Sequence, residues 1–182
     1  FGESSLAYQA GESSFRVSAG SFFQINRFLA PELARIVVGS ESGGTALDLY
    51  AGVGLFARPM AARFSRVMAV ESSPASAVDL KANLPKNAKA VRSTTEEFLA
   101  KSRDLRPDFI VVDPPRAGLG EKTTKMLAAM AAPRITYLSC DPTTLARDVS
   151  VLLKSGYRVE EVRLIDLFPQ TFHIESLVRM RR

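Results

Sequence analysis

The sequence predicts an α/β fold built on a mostly parallel sheet. Two observations carry this. Short apolar runs alternate with segments of helical pattern through most of the chain, and the last two strand-like segments, Arg158–Leu167 and Ile174–Met180, have no helix between them. Strands alternating with helices imply parallel pairing through right-handed crossovers. The closing pair reads as an antiparallel hairpin at the end of that sheet.

Element by element, the chain opens on a hairpin: Leu6-Ala7-Tyr8, a glycine-containing polar turn, then Phe15-Arg16-Val17-Ser18. A helix fits Arg27 to Val38, with Pro31 in its first turns, and a strand fits Ala46 to Tyr50. The turn Gly52-Val53-Gly54 leads into a helix around Phe56 to Phe64, where Pro59 marks a first turn or a kink. Strand Val67–Val70, helix Pro74–Leu84, strand Ala88–Arg92 and a short helix from Thr95 follow. Strand Phe109–Val112, helix Glu121–Ala131, strand Ile135–Leu138 and helix Pro142–Lys154 complete the alternation.

The 182 residues, 46% of them hydrophobic, suit one globular domain and exclude a disordered chain. No apolar run is long enough to span a bilayer, and no signal peptide opens the chain, so a cytoplasmic protein without a membrane partner is expected. One cysteine excludes an internal disulfide and a cysteine-rich metal site, and His173 is the single histidine; no metal is expected. The net charge of +5 leans towards an anionic partner without a basic block to locate it.

That cysteine is the most informative residue. Cys140 stands where the strand Ile135–Leu138 gives way to a helix, with Asp141 as the expected N-cap and Pro142 at the first helical position. In open α/β sheets ligands bind beyond the carboxyl ends of the strands. Amide groups at a helix start favour a thiolate, which makes Cys140 a candidate nucleophile. The plain alternative is a buried, inert cysteine.

Two further strand ends carry chemistry. Asp48-Leu49-Tyr50-Ala51-Gly52-Val53-Gly54-Leu55-Phe56 is a strand, a tight glycine turn and a helix start, with Ala57 in the last place of a G-x-G-x-x-G pattern. Glu71 ends the next strand, where an acid can accept hydrogen bonds from both ribose hydroxyls. This pair suits NAD and S-adenosylmethionine equally, and a turn required only for packing remains open. Asp113-Pro114-Pro115-Arg116-Ala117-Gly118 is a rigid loop after Phe109–Val112, suited to holding a flat ring.

Taken together, the chain resembles the S-adenosylmethionine-dependent RNA 5-methyluridine (uracil-5-) methyltransferases. Phe22-Phe23-Gln24-Ile25-Asn26 is similar to the family's F-F-Q-x-N segment, Asp48 to Phe56 to its D-L-Y-x-G-x-G-x-F loop, and Asp113 to Gly118 to its D-P-P-R-x-G loop. Ser139 to Asp148 resembles the nucleophile motif S-C-N-P-x-T-L-A-R-D, and Asp166 to Glu175 the motif D-x-F-P-x-T-x-H-x-E. The motifs are collinear and cover nearly the whole chain.

The resemblance implies a Rossmann-like methyltransferase catalytic domain over 1–182, with a lead-in of about 1–26 and without the family's N-terminal RNA-binding region. It implies S-adenosyl-L-methionine as cofactor, held by Gln24, Tyr50, Gly52, Glu71 and Asp113. It implies rRNA or tRNA as partner, a monomeric enzyme, and 5-methyluridine as product. Cys140 would add to carbon-6 of uracil, and Glu175 would remove the carbon-5 proton. Independently of the motif, Glu175 sits among Ile174, Leu177 and Val178, company that raises a carboxyl pKa; without the motif an exposed strand acid is the simpler reading. His173 is read as structural or RNA-contacting, and Arg147 and Asp148 as either phosphate ligands or partners of their neighbours. Three departures stand out: Asp141 for the usual Asn, whose charge would oppose a thiolate, Ala51 where many members carry Cys, and Leu55 where some carry Asn. A cytosine-5 methyltransferase and a non-catalytic RNA-binding module are the competing readings.

Overall fold

The computed structural model describes residues 4–24, 26 and 28–182. The hairpin forms, with β1 at Ser5–Ala10 and β2 at Ser13–Ser18, as a separate two-stranded sheet. The start expected at Arg27 for the first helix lies outside the described residues; α1 runs Ala30–Val38 and buries Leu33, Val37 and Val38. Then come β3 (Gly43–Leu49), α2 (Ala57–Ala61), β4 (Phe64–Glu71), α3 (Pro74–Asn83), β5 (Ala88–Arg92), α4 (Thr95–Lys101), β6 (Phe109–Val112), α5 (Gly120–Ala129), β7 (Arg134–Ser139), α6 (Pro142–Lys154), β8 (Arg158–Ile165) and β9 (Glu175–Arg181). No helix among the described residues is long and apolar enough to cross a membrane.

The second sheet has seven strands in the order β5-β4-β3-β6-β7-β9-β8. β3 to β7 pair in parallel, as the alternation requires. β6 is buried at every position, and β3 over its last four, so both faces of the sheet are covered. α1, α2 and the hairpin pack on one face around Ala46, Phe64 and Phe109. The other face carries Leu127 of α5, Leu145 and Leu152 of α6, and Phe98 of α4.

The C-terminal hairpin is antiparallel, and its order in the sheet is particular. β9 pairs with β7, and β8 is the outer edge. Burial explains the choice. β9 is buried at Glu175, Ser176, Leu177, Val178 and Met180, as an interior strand must be. β8 alternates Glu160, Glu161 and Arg163 with exposed Val162 and Leu164, and charges on an edge strand discourage further pairing. Because β9 runs antiparallel, its first residues lie beside the carboxyl end of β7, with Ser176 opposite Ser139. Glu175 thereby reaches the rim that holds Cys140.

Two expected boundaries shift. The helix around Phe56–Phe64 is only Ala57–Ala61, since Pro59 sits in its first turn and Phe64 already pairs with Gly43. β3 ends at Leu49, because Tyr50 adopts φ 63°, outside any strand conformation.

α3 latches the lead-in to the sheet. The buried Asp79 accepts from the Ser18 amide (2.6 Å), Ser18 Oγ (2.8 Å) and Ser21 Oγ (2.7 Å), with Arg16 Nε at 3.1 Å. Burial works to raise its pKa, but the bonds from Ser21 and Ser18 and the Arg16 charge win, and the net shift is downward. Asn83 bonds Arg16 at both backbone atoms and donates to the Val53 carbonyl (2.9 Å), tying β2 to the glycine turn.

Candidate active site

The chain reverses its order in the sheet at β3, whose neighbours are β4 and β6. Such switch points open crevices at the carboxyl ends. The turn there has Tyr50, Gly52 (φ 54°) and Gly54 (φ 102°) all at positive φ. At Gly54 a Cβ would lie 3.0 Å from Leu80 Cδ1, so the glycine is required for α3 to pack. At Gly52 the space is open, and a Cβ would meet only the Phe22 carbonyl at 3.8 Å. Glu71 buttresses this turn: its carboxylate accepts from the Gly52 amide (2.9 Å) and the Ser73 amide (2.7 Å).

Two clefts flank the turn. One is lined by Phe22, Gln24, Tyr50, Gly52 and Asp113. The other, about 210 Å³, is lined by Tyr50, Ser72, Ser93, Thr94, Glu96 and Pro115. Gln24, Tyr50, Gly52 and Asp113 therefore line one cleft, and Glu71 is tied to it through the Gly52 amide. The sequence reading missed Ser72, Ser93 and Thr94. Their signal was modest: short polar runs just beyond β4 and β5. A larger groove of about 780 Å³ lies between α4 and α5, away from the strand ends, and holds none of the predicted site residues.

Near the crevice sit three acids with raised pKa, one of which, Asp48, lacks hydrogen-bond donors. Asp48 is fully buried and neither carboxylate oxygen has a hydrogen-bond partner. Burial pushes its pKa up to about 8; the nearby Ala57 amide, outside hydrogen-bonding geometry, works against this, and the Glu71 charge adds to it. Asp113, at the end of β6, is raised well above the usual carboxylate range by burial and by the charges of Glu175 and Asp48. Glu175 is also raised, by burial against the lowering charge of Arg116.

Cys140 is half-buried between β7 and α6. Asp141 caps the helix as expected, accepting from the amides of Thr143 (2.9 Å) and Thr144 (3.0 Å). This corrects the expectation of an acidified thiol. Two amides of the helix start are spent on Asp141, and the Cys140 pKa is raised, by burial first and the Glu175 charge second. The opposing charge expected from Asp141 comes instead from Glu175. A hydrogen bond from Arg116 and its charge act in favour of the thiolate.

Arg116 is the functional candidate the sequence reading left unassigned. Its guanidinium bears on Cys140 and Glu175 and lies 2.9 Å, Nη2 to Nδ1, from His173. Guanidinium has no acceptor, so Nδ1 of His173 accepts and the ring proton is on Nε2. α6 clamps the loop that carries Arg116. Thr144 Oγ1 donates to the Arg116 carbonyl (3.0 Å), Arg147 Nη2 to the Ala117 carbonyl (2.8 Å), and Asp148 accepts from the Leu119 amide (2.7 Å). A Cβ on Gly118 would lie 2.6 Å from Asp148 Oδ2, so this approach needs glycine. Arg147 and Asp148 thus bond their neighbours, one of the two roles read for them.

The model of the tRNA (uracil-5-)-methyltransferase family matches residues 2–182. The chain belongs to that family. An uncharacterized RNA methyltransferase of Streptomyces avermitilis is 36% identical over 184 residues, covering 97% of this chain and 42% of its own length. One from Thermotoga maritima is also 36% identical, over 187 residues, covering 99% and 42%. The chain therefore spans less than half the length of these relatives. Among solved structures, the tRNA (uracil-54, C5)-methyltransferase of Pyrococcus abyssi, in complex with S-adenosyl-L-homocysteine, superposes with a TM-score of 0.86. It is 30% identical and covers 99% of this chain and 45% of its own. A putative methyltransferase, SMU.776, shares the fold at 14% identity and a TM-score of 0.78. For this uracil-5-methyltransferase family member, the fold is the Rossmann-like methyltransferase fold that the sequence predicted.

Proposed function

We propose that this chain is the catalytic domain of an S-adenosylmethionine-dependent RNA uracil-C5 methyltransferase acting on tRNA or rRNA. The observation that carries this reading is the meeting of Cys140, Arg116 and Glu175 at one rim, beside the crevice of the glycine turn. S-adenosyl-L-methionine, when bound, supplies the methyl group that ends on carbon-5. The crevice fits that ligand on three counts: an open face at Gly52, a carboxylate at Glu71, and acids at Asp48 and Asp113 whose raised pKa a nearby cationic centre would lower again. Gln24 and Tyr50 would complete the walls.

The chain's own residues account for the rest. Arg116 favours the Cys140 thiolate, working against burial and the Glu175 charge, which together keep the thiol pKa raised. The thiolate forms an Sγ–C6 bond, and the electron pair of the C5=C6 bond moves to carbon-5 and its neighbouring carbonyl. Once carbon-5 is methylated it carries a proton that must leave. Glu175, raised by burial, takes that proton. The C5–H pair reforms the double bond, the Sγ–C6 bond breaks, and Cys140 leaves as thiolate. A uracil in a helix cannot reach the strand ends, so the target base must be flipped out or single-stranded.

The order of steps sets the test, on the full-length protein with labelled RNA on a denaturing gel. Cys140→Ala should give neither product nor adduct. Glu175→Gln should still attack and methylate, then accumulate RNA attached to Cys140. Near wild-type product from Cys140→Ala would disprove the nucleophile. Normal turnover without adduct in Glu175→Gln would move the base to another group, with Asp113 next.

A further inference from the structure

Phe172 has no place in the chemistry above, and its placement is costly without one. It is 89% exposed, the most exposed of the large hydrophobic side chains described. The loop that carries it is stiffly built. The Phe168 amide donates to Asp166 Oδ1 (3.1 Å), Thr171 Oγ1 to the Phe168 carbonyl (2.8 Å), and the His173 amide to Thr171 Oγ1 (3.1 Å). Buried Leu167 anchors the loop, and Asn26 Nδ2 holds its carbonyl at 3.0 Å. The ring is therefore presented to solvent by a preorganised turn, which lowers the entropic cost of using it for binding.

Its neighbours continue a stepped array towards the thiol. The Phe172 ring lies 4.2 Å from the His173 ring at 38°, and His173 meets Phe168 edge-on at 6.1 Å. His173 accepts from Arg116, which bears on Cys140. One aromatic face is open at the outer end, and the nucleophile lies at the inner end. The flanking Gln170, Thr171 and Arg116 are polar and exposed. Ile174, the next residue after His173, is apolar and 41% exposed. A protein partner calls for a broad contiguous apolar patch, whereas one protruding flat ring in mostly polar company suits a flat, polar-edged ligand.

We propose that Phe172, backed by His173, is a stacking platform for an unpaired nucleobase adjacent to the uridine that enters the Cys140 pocket. This deepens the reading of the chain as an RNA methyltransferase and rests on it. Flipping a base out leaves its neighbours unstacked, and an aromatic ring at the pocket mouth replaces the lost stacking partner. The contact is indifferent to base identity, because every base has a π-face.

The experiment compares Phe172→Leu, which keeps bulk and apolarity, with Phe172→Trp, which keeps an aromatic plane, in the full-length protein. Phe172→Leu should weaken RNA binding by roughly 5- to 150-fold and raise KM for RNA, with kcat at saturating RNA and S-adenosylhomocysteine affinity unchanged. Phe172→Trp should bind RNA like the wild type, and the fluorescence of the introduced indole should be quenched when RNA binds. Wild-type RNA affinity and KM in Phe172→Leu, with methylation intact, would overturn the platform and leave the methyltransferase reading standing. An indole already shielded from acrylamide without RNA would show that protein covers the ring, and would also overturn it. A wild-type protein that makes neither methylated RNA nor adduct would remove the reading and the platform together.

Discussion

Asp148 and Asp48 are both fully buried, yet their surroundings are opposite. Asp148, on α6, accepts from the Leu119 amide (2.7 Å), the Tyr137 hydroxyl (2.7 Å) and Arg147 Nε (3.0 Å). Asp48, on β3 beneath the glycine turn, has no hydrogen-bond partner at either oxygen. A buried carboxylate with its donors in place builds the fold; one without them is held there by the fold at a cost. Asp148 locks the Arg116 loop to α6. Asp48 belongs with Asp113 and Glu175, acids whose pKa burial raises, at Asp48 and Asp113 with a further push from neighbouring carboxylates. The difference separates the scaffold from the candidate site.

The largest expected effect comes from removing the satisfied acid. Asp148→Ala leaves the Leu119 amide and the Tyr137 hydroxyl without their acceptor, and should cost about 3–5 kcal/mol of stability in urea unfolding. An unchanged midpoint would mean that those bonds add nothing and the contrast fails.

Asp48→Asn should act with the opposite sign and depend on pH. The folded-state pKa of Asp48 is raised to about 8 from 3.8. Its contribution to stability is therefore most favourable below the unfolded value and declines as pH rises from about 4 to 8, by up to about 1.4 kcal/mol per pH unit. Asn has no proton to lose, so the variant should gain on the wild type steadily between pH 5 and pH 8. Parallel stability curves across that window would show that Asp48 is satisfied in solution.

The smallest effect concerns the thiol. Glu175→Gln removes a charge that raises the Cys140 pKa, so the alkylation rate of Cys140 by iodoacetamide should titrate at lower pH. Asp141→Asn should leave that profile close to wild type and keep the helix cap, since Asn caps as well as Asp. A larger shift from Asp141→Asn than from Glu175→Gln would reverse the electrostatic assignment.

Much of this was legible beforehand. The limits of β6 follow from an apolar run bounded by Asp108 and Asp113, and those of α6 from Asp141-Pro142 at its start and Gly156 just beyond its end. The crevice residues Gln24, Tyr50, Gly52, Glu71 and Asp113 were legible because each stands at or near a strand end or in a motif of fixed spacing. Arg116 was visible in its loop but not assignable, because its partners Cys140, His173 and Glu175 come from other segments of the chain. The Cys140 pKa was misread because burial and the Glu175 charge, which a distant strand brings in, outweigh what a helix start offers the thiolate, and Asp141 takes two of those amides.

By itself the sequence determined the order of strands and helices, the glycine turn, the helix cap at Asp141 and the family to which the chain belongs, since these rest on patterns within a few residues. Only the tertiary structure decided that β9 inserts between β7 and β8, that Glu175 therefore reaches the rim of Cys140, and that Asp148 is satisfied while Asp48 is not. The physical reason is that strand position follows from which strand can be buried on both faces, and a carboxylate's charge state follows from which distant donors and charges surround it.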